Sequence, residues 1–409
     1  MRGGRRNPTL WALALLMLAG CGGNDGGGSS PDIRSAPWTE IEVAAQGSIV
    51  NLFMWGGDRG YNDYIDEYAA PELARLHGIT LVRTPIGETE SAVNKLLGEK
   101  RAGRQRGSID LLWINGHGFA TGAQADLWFG PWAERLPNAR YIDWEDPAIN
   151  LDFGFPVEGR EAPWSRAQFV MIYDSAQLDE PPTSLPALLA WAQANPGRFT
   201  YPAPPDFTGT AFIEQAFILL TGESLQGPFD ESLFAAQAPK VWAYLNTLEP
   251  HLWRSGETYP GSAPKLNELY AQGEIHMTMS YNPQFAQRQV HDRLFPPSTR
   301  SFVFEGGTLH NTSYLAIPFN APNKPGAAVV ANFLESPEAQ IEKQKPEVLG
   351  ALTVLDPERL SVDEREALTI SAGAATVPLE VLERHRIPEP GSEWVVPLQR
   401  GWREHVARE

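Results

Sequence analysis

The feature that most constrains this chain is an alternation of strand-like and helix-like stretches between residues 49 and 114. Residues 49–55 (IVNLFMW) are apolar and β-rich, and Gly56-Gly57 stops them. Residues 61–77 carry helical spacing through Tyr61, Tyr64, Ile65, Tyr68, Leu73 and Leu76, and Gly78 closes the run. Pro71 inside that run predicts a kink or a split. A second strand is expected over 79–83, a second helix over 88–100 and a third strand over 109–114. This order calls for a parallel sheet with helices on both faces. Ligands of such sheets lie beyond the carboxyl ends of the strands. Here those ends are Trp55-Gly56-Gly57 and Asn115-Gly116-His117-Gly118, where glycine leaves the backbone open to a ligand.

A second α/β region follows. Strands are expected over 167–173, 199–202, 275–282, 302–304 and 314–318, with helices over 185–195, 210–220 and 327–340. From Gly47 onward the chain is long enough for two lobes. The expected division puts 47–165 and 315–409, including the C-terminal helices, in the first lobe and 166–314 in the second.

The N-terminus argues for export. Arg2, Arg5 and Arg6 precede an apolar stretch at residues 10–18 (LWALALLML). Nine helical residues rise about 14 Å, against a hydrocarbon core of about 30 Å, so a cleaved signal over 1–20 fits and a membrane span does not. The stretch ends in Leu18-Ala19-Gly20-Cys21, which resembles the bacterial lipobox. That resemblance implies lipidation at Cys21, the single cysteine of the chain. Residues 22–30 (GGNDGGGSS) follow as a Gly/Ser linker, expected to continue to residue 46.

One cysteine excludes a disulfide framework and any cysteine-based metal cluster. The net charge of −17 becomes about −20 once the three arginines of the signal are removed, and such a surface repels nucleic acid. Enzyme signatures are missing: no G-x-S-x-G elbow, no H-E-x-x-H pair and no phosphate-binding P-loop occur. No cofactor or metal is expected. Two distant carboxylates could still serve a glycosidase, so an envelope lipoprotein hydrolase acting on saccharide is the alternative.

Several stretches resemble solute-binding proteins of ABC importers. They are residues 182–189 (PTSLPALL), 201–209 (YPAPPDFTG) and 323–328 (NKPGAA), the last leading into 333–340 (FLESPEAQ). With 112–116 (LWING) and 317–321 (IPFNA), the pattern is similar to the YnjB-like subgroup. The resemblance implies an α/β, two-lobed periplasmic-binding-protein-like fold of type II, with two crossover strands. It also implies capture of a small solute outside the cytoplasm and delivery to a permease with its ATPase subunits. Relatives handle cations, thiamine-like molecules, phosphonates and metals. Ferric-ion-binding members carry two adjacent tyrosines, and no Tyr-Tyr pair occurs here.

Contact candidates come from both lobes. Thr208-Gly209-Thr210 opens a predicted helix whose free N–H groups suit an anionic or strongly accepting ligand group, unless Thr208 is simply the helix cap. Trp55, Gly56, Asn115 and Gly116 sit at strand ends of the first lobe. Tyr281 and Asn282 follow a predicted strand of the second. Trp164 is the candidate among the tryptophans crowded before the first crossover, for stacking or cation–π contact. Asn311 and Thr312 precede the expected second crossover strand and are either contacts or turn residues.

Overall fold

The computed structural model describes residues 30–368 and 373–407, so Cys21 and the signal lie outside the described residues. The first elements are α1 (Trp38–Ala45), β1 (Ile49–Trp55), α2 (Arg59–Asp63), α3 (Ala70–His77), β2 (Thr80–Ile86), α4 (Thr89–Arg101), β3 (Leu111–Ile114) and α5 (Gly116–Gln124). After α6 (Pro147–Asn150) come β4 (Leu151–Asp152), β5 (Phe155–Pro156), β6 (Glu161–Gln168) and β7 (Val170–Asp174). Helices α7 (Leu185–Ala194), α8 (Phe207–Thr221), α9 (Glu231–Leu248) and α10 (Ala263–Ala271) lead to β8 (Met277–Ser280), α11 (Phe285–His291), β9 (Thr299–Phe302) and β10 (Thr308–Ala316). The chain closes with α12 (Lys324–Leu334), α13 (Pro337–Gln344), α14 (Val362–Ala367), α15 (Leu379–Arg384), β11 (Arg386–Pro388) and α16 (Val395–His405).

The opening alternation folds as its spacing predicts. Strand β1 pairs in parallel with β2 on one side and β3 on the other. The first sheet runs β11-β10-β3-β1-β2, with β6 added on β10. One core packs α4 and α5 on one face, and another packs α1, α3 and α12 on the opposite face. Order begins earlier than the expected linker allows, because Ile33, Ile41 and Ala45 are buried in that second core. Pro71 does not split the helix. A π-helical turn over Tyr64–Ala69 links α2 to α3, and Pro71 falls in the first turn of α3, where proline is tolerated.

The second sheet is smaller and antiparallel, in the order β8-β7-β9. The expected strand over 199–202 does not form. Phe199 and Tyr201 are instead fully buried against Phe212 of α8, so their apolarity serves helix packing. The chain crosses between sheets twice, from β6 to β7 through Phe169 and from β9 to β10. Strand β10 begins at Thr308, so Asn311 and Thr312 lie inside the crossover strand and not before it. The C-terminal helices also depart from expectation. Trp394, Leu398 and Trp402, one helical face apart, are buried in the core of the second sheet, not the first. Trp402 Nε1 donates to the Tyr201 hydroxyl there (3.0 Å).

Asp110, 1 % exposed, ties the first sheet to the helix behind it. Its Oδ2 accepts from the Asn51 backbone N–H (2.8 Å) and side chain (3.0 Å), and its Oδ1 accepts from the Asn323 N–H (2.8 Å) at the start of α12. Asp110→Ala leaves two backbone donors without partners. It should lower stability by about 2–4 kcal/mol, read as a drop in melting temperature.

Candidate functional site

A cleft with about 170 Å³ of cavity opens where the two sheets face one another. Trp55, Trp113 and Asn115 reach it from the carboxyl ends of β1 and β3, the place the strand order predicts. Thr208 and Thr210 reach it from the first turn of α8, and Tyr281 and Asn282 from the turn after β8. Ala167 of β6 and Asn311 and Ser313 of β10 bring in the crossover strands.

Five candidates lie elsewhere, each for a local reason. Gly56 is absorbed by backbone pairing: its N–H donates to the Ile86 carbonyl (3.1 Å) and its carbonyl accepts from Asn62 (3.0 Å). Gly116 holds a left-handed φ of 57° and donates its N–H to Asp152 Oδ2 (2.7 Å), so it turns the chain into α5. Trp164 is 1 % exposed, edge-on behind Trp113 (5.1 Å) and Tyr61 (5.8 Å); it supports the wall and does not form it. Thr312 points to the opposite face from Asn311 and Ser313, as strand alternation requires, and its hydroxyl donates to the Ala148 carbonyl (2.6 Å). Gly209 is packed against backbone: a Cβ there would sit 2.0 Å from the Pro202 carbonyl oxygen.

The start of α8 differs most from expectation. The helix begins at Phe207 and its cap is Asp206, not Thr208. Asp206 Oδ1 accepts from the Gly209 N–H (2.9 Å) and Oδ2 from the Ala263 N–H (3.0 Å). Asp58 does the same for α2, accepting from the Gly60 N–H (2.6 Å). A helix N-terminus carries roughly half a positive charge, and a full carboxylate on it leaves a negative end. Both residues line the cleft. The helix starts that could have held an anion therefore present carboxylates.

Glu88, Glu90 and Glu214 add to this, and among the described residues no lysine or arginine lines the cleft. Burial pushes the Glu88 carboxyl up to about 8, helped by Asp206 and Glu90. Burial likewise raises Asp58 and Asp206. Aromatic rings supply the walls. Tyr61 lies 4.8 Å from Trp113, and Phe207 lies 5.0 Å from Tyr281 and 6.2 Å from Phe153. At the rim, Arg288 of α11 reaches across to Asp63 of α2 (3.2 Å), joining the two sides by an ion pair.

The acidic lining escaped sequence reasoning. Its one local signal lay in α8, where Phe207, Thr210 and Glu214 share the i, i+3, i+7 face of a mostly apolar helix. Glu389, which accepts from Tyr281 (2.8 Å) and Asn311 (2.9 Å), follows a three-residue strand far along the chain and gave none.

Residues 64–357 match the family described as bacterial extracellular solute-binding protein. The chain belongs to that family. These are non-catalytic proteins that bind small solutes outside the cytoplasm and work with ABC transporters, which removes the hydrolase alternative. Protein YnjB of Escherichia coli (strain K12) is 38% identical over 395 residues, covering 96% of this chain and 97% of that protein. The fold is the α/β periplasmic-binding-protein fold. The spermidine/putrescine transporter substrate-binding protein PotD from Streptococcus pneumoniae aligns with a TM-score of 0.63 at 16% identity, over 88% of this chain and 98% of that one. The periplasmic binding protein AfuA from Actinobacillus pleuropneumoniae, with fructose-6-phosphate bound, aligns at 0.60 and 16%, over the same shares.

In this solute-binding protein Gly209 sets how closely α8 approaches the 201–205 loop. Gly209→Ala should lower stability by about 1–3 kcal/mol and displace the first turn of α8. Thermal melting checks the first effect, and amide exchange of residues 206–210 the second.

Proposed function

We propose that this protein is a lipoprotein, held to the membrane through lipid on Cys21, that captures a small organic cation and hands it to the permease of an ABC importer. The observation that carries the charge assignment is the cleft lining: Asp58, Glu88, Glu90, Asp206 and Glu214 among tryptophan, tyrosine and phenylalanine, with His117 the one basic side chain lining it among the described residues and the rim Arg288, near Asp58, already paired with Asp63. Carboxylates attract a cation over the short range of the cleft, and aromatic faces hold it by cation–π attraction. Fold alone does not set ligand charge, since the similar structures include a spermidine/putrescine protein and one with a sugar phosphate bound. The argument therefore rests on the side chains of this cleft.

In this reading the halves divide at the two crossovers and at a third passage before Ala375, which carries the C-terminal helices to the second half, and they close on the solute by hinge rotation. Trp55, Trp113, Asn115 and Asp58 act from one half, and Asp206, Thr208, Thr210, Glu214, Tyr281 and Asn282 from the other. Gly56, Gly116, Gly209, Trp164 and Thr312 shape the cleft from behind. The lipobox-like run Leu18-Ala19-Gly20-Cys21 and the Gly/Ser stretch after it support the tether.

Small organic cations should raise the melting temperature, and organic anions of the same size should not. Asp58→Asn keeps a capping oxygen and removes a charge, so it should weaken cation binding about tenfold while leaving the melting temperature of the unliganded protein nearly unchanged. Thermal shift that follows anions and ignores cations would reverse the assignment. For the tether, Cys21→Ser should move the protein from the detergent phase to the aqueous phase in phase partition of whole cells. Equal partition of the two forms would rule out lipid on Cys21.

A further inference from the structure

The cleft floor and the layer behind it hold acceptors that lack donors. Glu214 is 3 % exposed and lines the cleft, and its Oε1 has no hydrogen-bond partner. Asn311, also lining the cleft, donates its Nδ2 to Glu389 Oε1 (2.9 Å) and leaves its buried Oδ1 without a partner. Glu389, 4 % exposed, receives both Asn311 and Tyr281 on that same Oε1, while its Oε2 has none. Three buried oxygens from three separate elements thus lack donors. Buried acceptors are nearly always paired in folded proteins, and Glu214 and Asn311 differ from other unpartnered buried acceptors, such as those of Glu161 and Glu335, in lining the cleft, where a donor-bearing group can reach them.

The groups around them do not supply it. The Tyr281 hydroxyl is committed to Glu389, and the Asp152 carboxyl on the far side accepts from the Gly116 N–H (2.7 Å). His117, across the cleft, donates Nδ1 to the Ser392 carbonyl (3.2 Å). Asp58, Glu88, Glu90, Asp206 and Tyr61 complete the titratable lining, and the four acids are acceptors when ionised.

We propose that this floor is an ammonium subsite, in which Glu214 and Asn311 accept N–H bonds from a primary ammonium group of the solute while Glu389 stands behind them, and that capture expels a proton held by the Glu214–Glu389 pair. The proposal deepens the cation reading above and rests on it. Two buried carboxyls that feel each other cannot both ionise without a cation. Burial and the neighbouring Glu389 raise Glu214, and burial pushes Glu389 up to about 7. In the unliganded protein near neutral pH the pair keeps a proton. The entering ammonium brings one positive charge and three donors. The carboxylic acid then gives its proton to solvent and its oxygen accepts an N–H; no bond to the solute nitrogen breaks, and one positive charge replaces another. The sign follows from the raised carboxyls. As pH falls through about 7 the proton competes better, and affinity drops by up to about tenfold per pH unit for one proton exchanged.

The test is isothermal titration calorimetry of the full mature protein with three probes: n-butylammonium, 1,4-diaminobutane and tetramethylammonium. Each is run in phosphate and in Tris, whose ionisation heats differ. The two probes with N–H groups should bind with a heat that depends on the buffer and reports up to one proton released at neutral pH. Tetramethylammonium, with no N–H, should bind about tenfold more weakly and release none. Glu389→Gln keeps an accepting oxygen and should lessen the pH dependence, because burial alone still raises Glu214, and Glu214→Gln should weaken n-butylammonium about tenfold. If Glu214→Gln does not fold, the proton count on the unaltered protein still decides. Binding of n-butylammonium with no buffer-dependent heat overturns this inference and leaves the cation reading standing, as does equal affinity for tetramethylammonium. Failure of every cation to bind overturns both.

Discussion

The antiparallel pairing of β6 with β10 is the constraint on which the rest of the structure depends. It runs from the His310–Gln168 pair to the Ala316–Glu161 pair, with a register shift between Ser313 and Tyr314. Both strands continue out of the first sheet towards the second, so this ladder binds the two chain crossings side by side. Alternation along β10 then sends Asn311 and Ser313 to the cleft and Thr312 to the protein behind it. Without that ladder the two sheets would share no common floor. The acidic residues of α8 and of the turn after β11 would then have nothing to converge on.

Given this frame, the charge of the cleft follows from how two helices are capped. Parallel sheets and helix starts offer positive ends to ligands. Here Asp58 and Asp206, one on each side, occupy those ends with their own carboxylates. The same atoms therefore do two jobs. They satisfy orphan N–H groups that every helix must satisfy, and they set the sign of the potential inside the cleft. A serine or threonine at either place would cap as well and leave the end positive.

Buried acids without partners extend behind the floor. Both oxygens of Glu161 and one of Asp152 lack hydrogen bonds. Burial raises Glu161, and it pushes Asp152 up to about 8. Such groups cost stability, and those of β4 and β6 lie beside the crossover ladder.

The sequence by itself determined the parallel opening of the first sheet and the opening of a cleft at the ends of β1 and β3. Local periodicity and glycine stops carry that information, and period and turn chemistry are short-range. It also brought Trp55, Asn115, Thr208, Thr210, Tyr281, Asn282 and Asn311 forward as contact candidates, and all of them line the cleft. Only the tertiary structure decided the rest. Phe199 and Tyr201 look like a strand by composition, yet burial against α8 overrides that preference. Trp164 and Trp113 are equal in sequence, and which one fronts the cleft depends on a layer order that no local pattern encodes. Glu214 and Glu389 meet across 174 intervening residues (positions 215–388). A carboxylate isolated in sequence carries no sign of the partner that will face it, because that partner is chosen by how the two crossings pack.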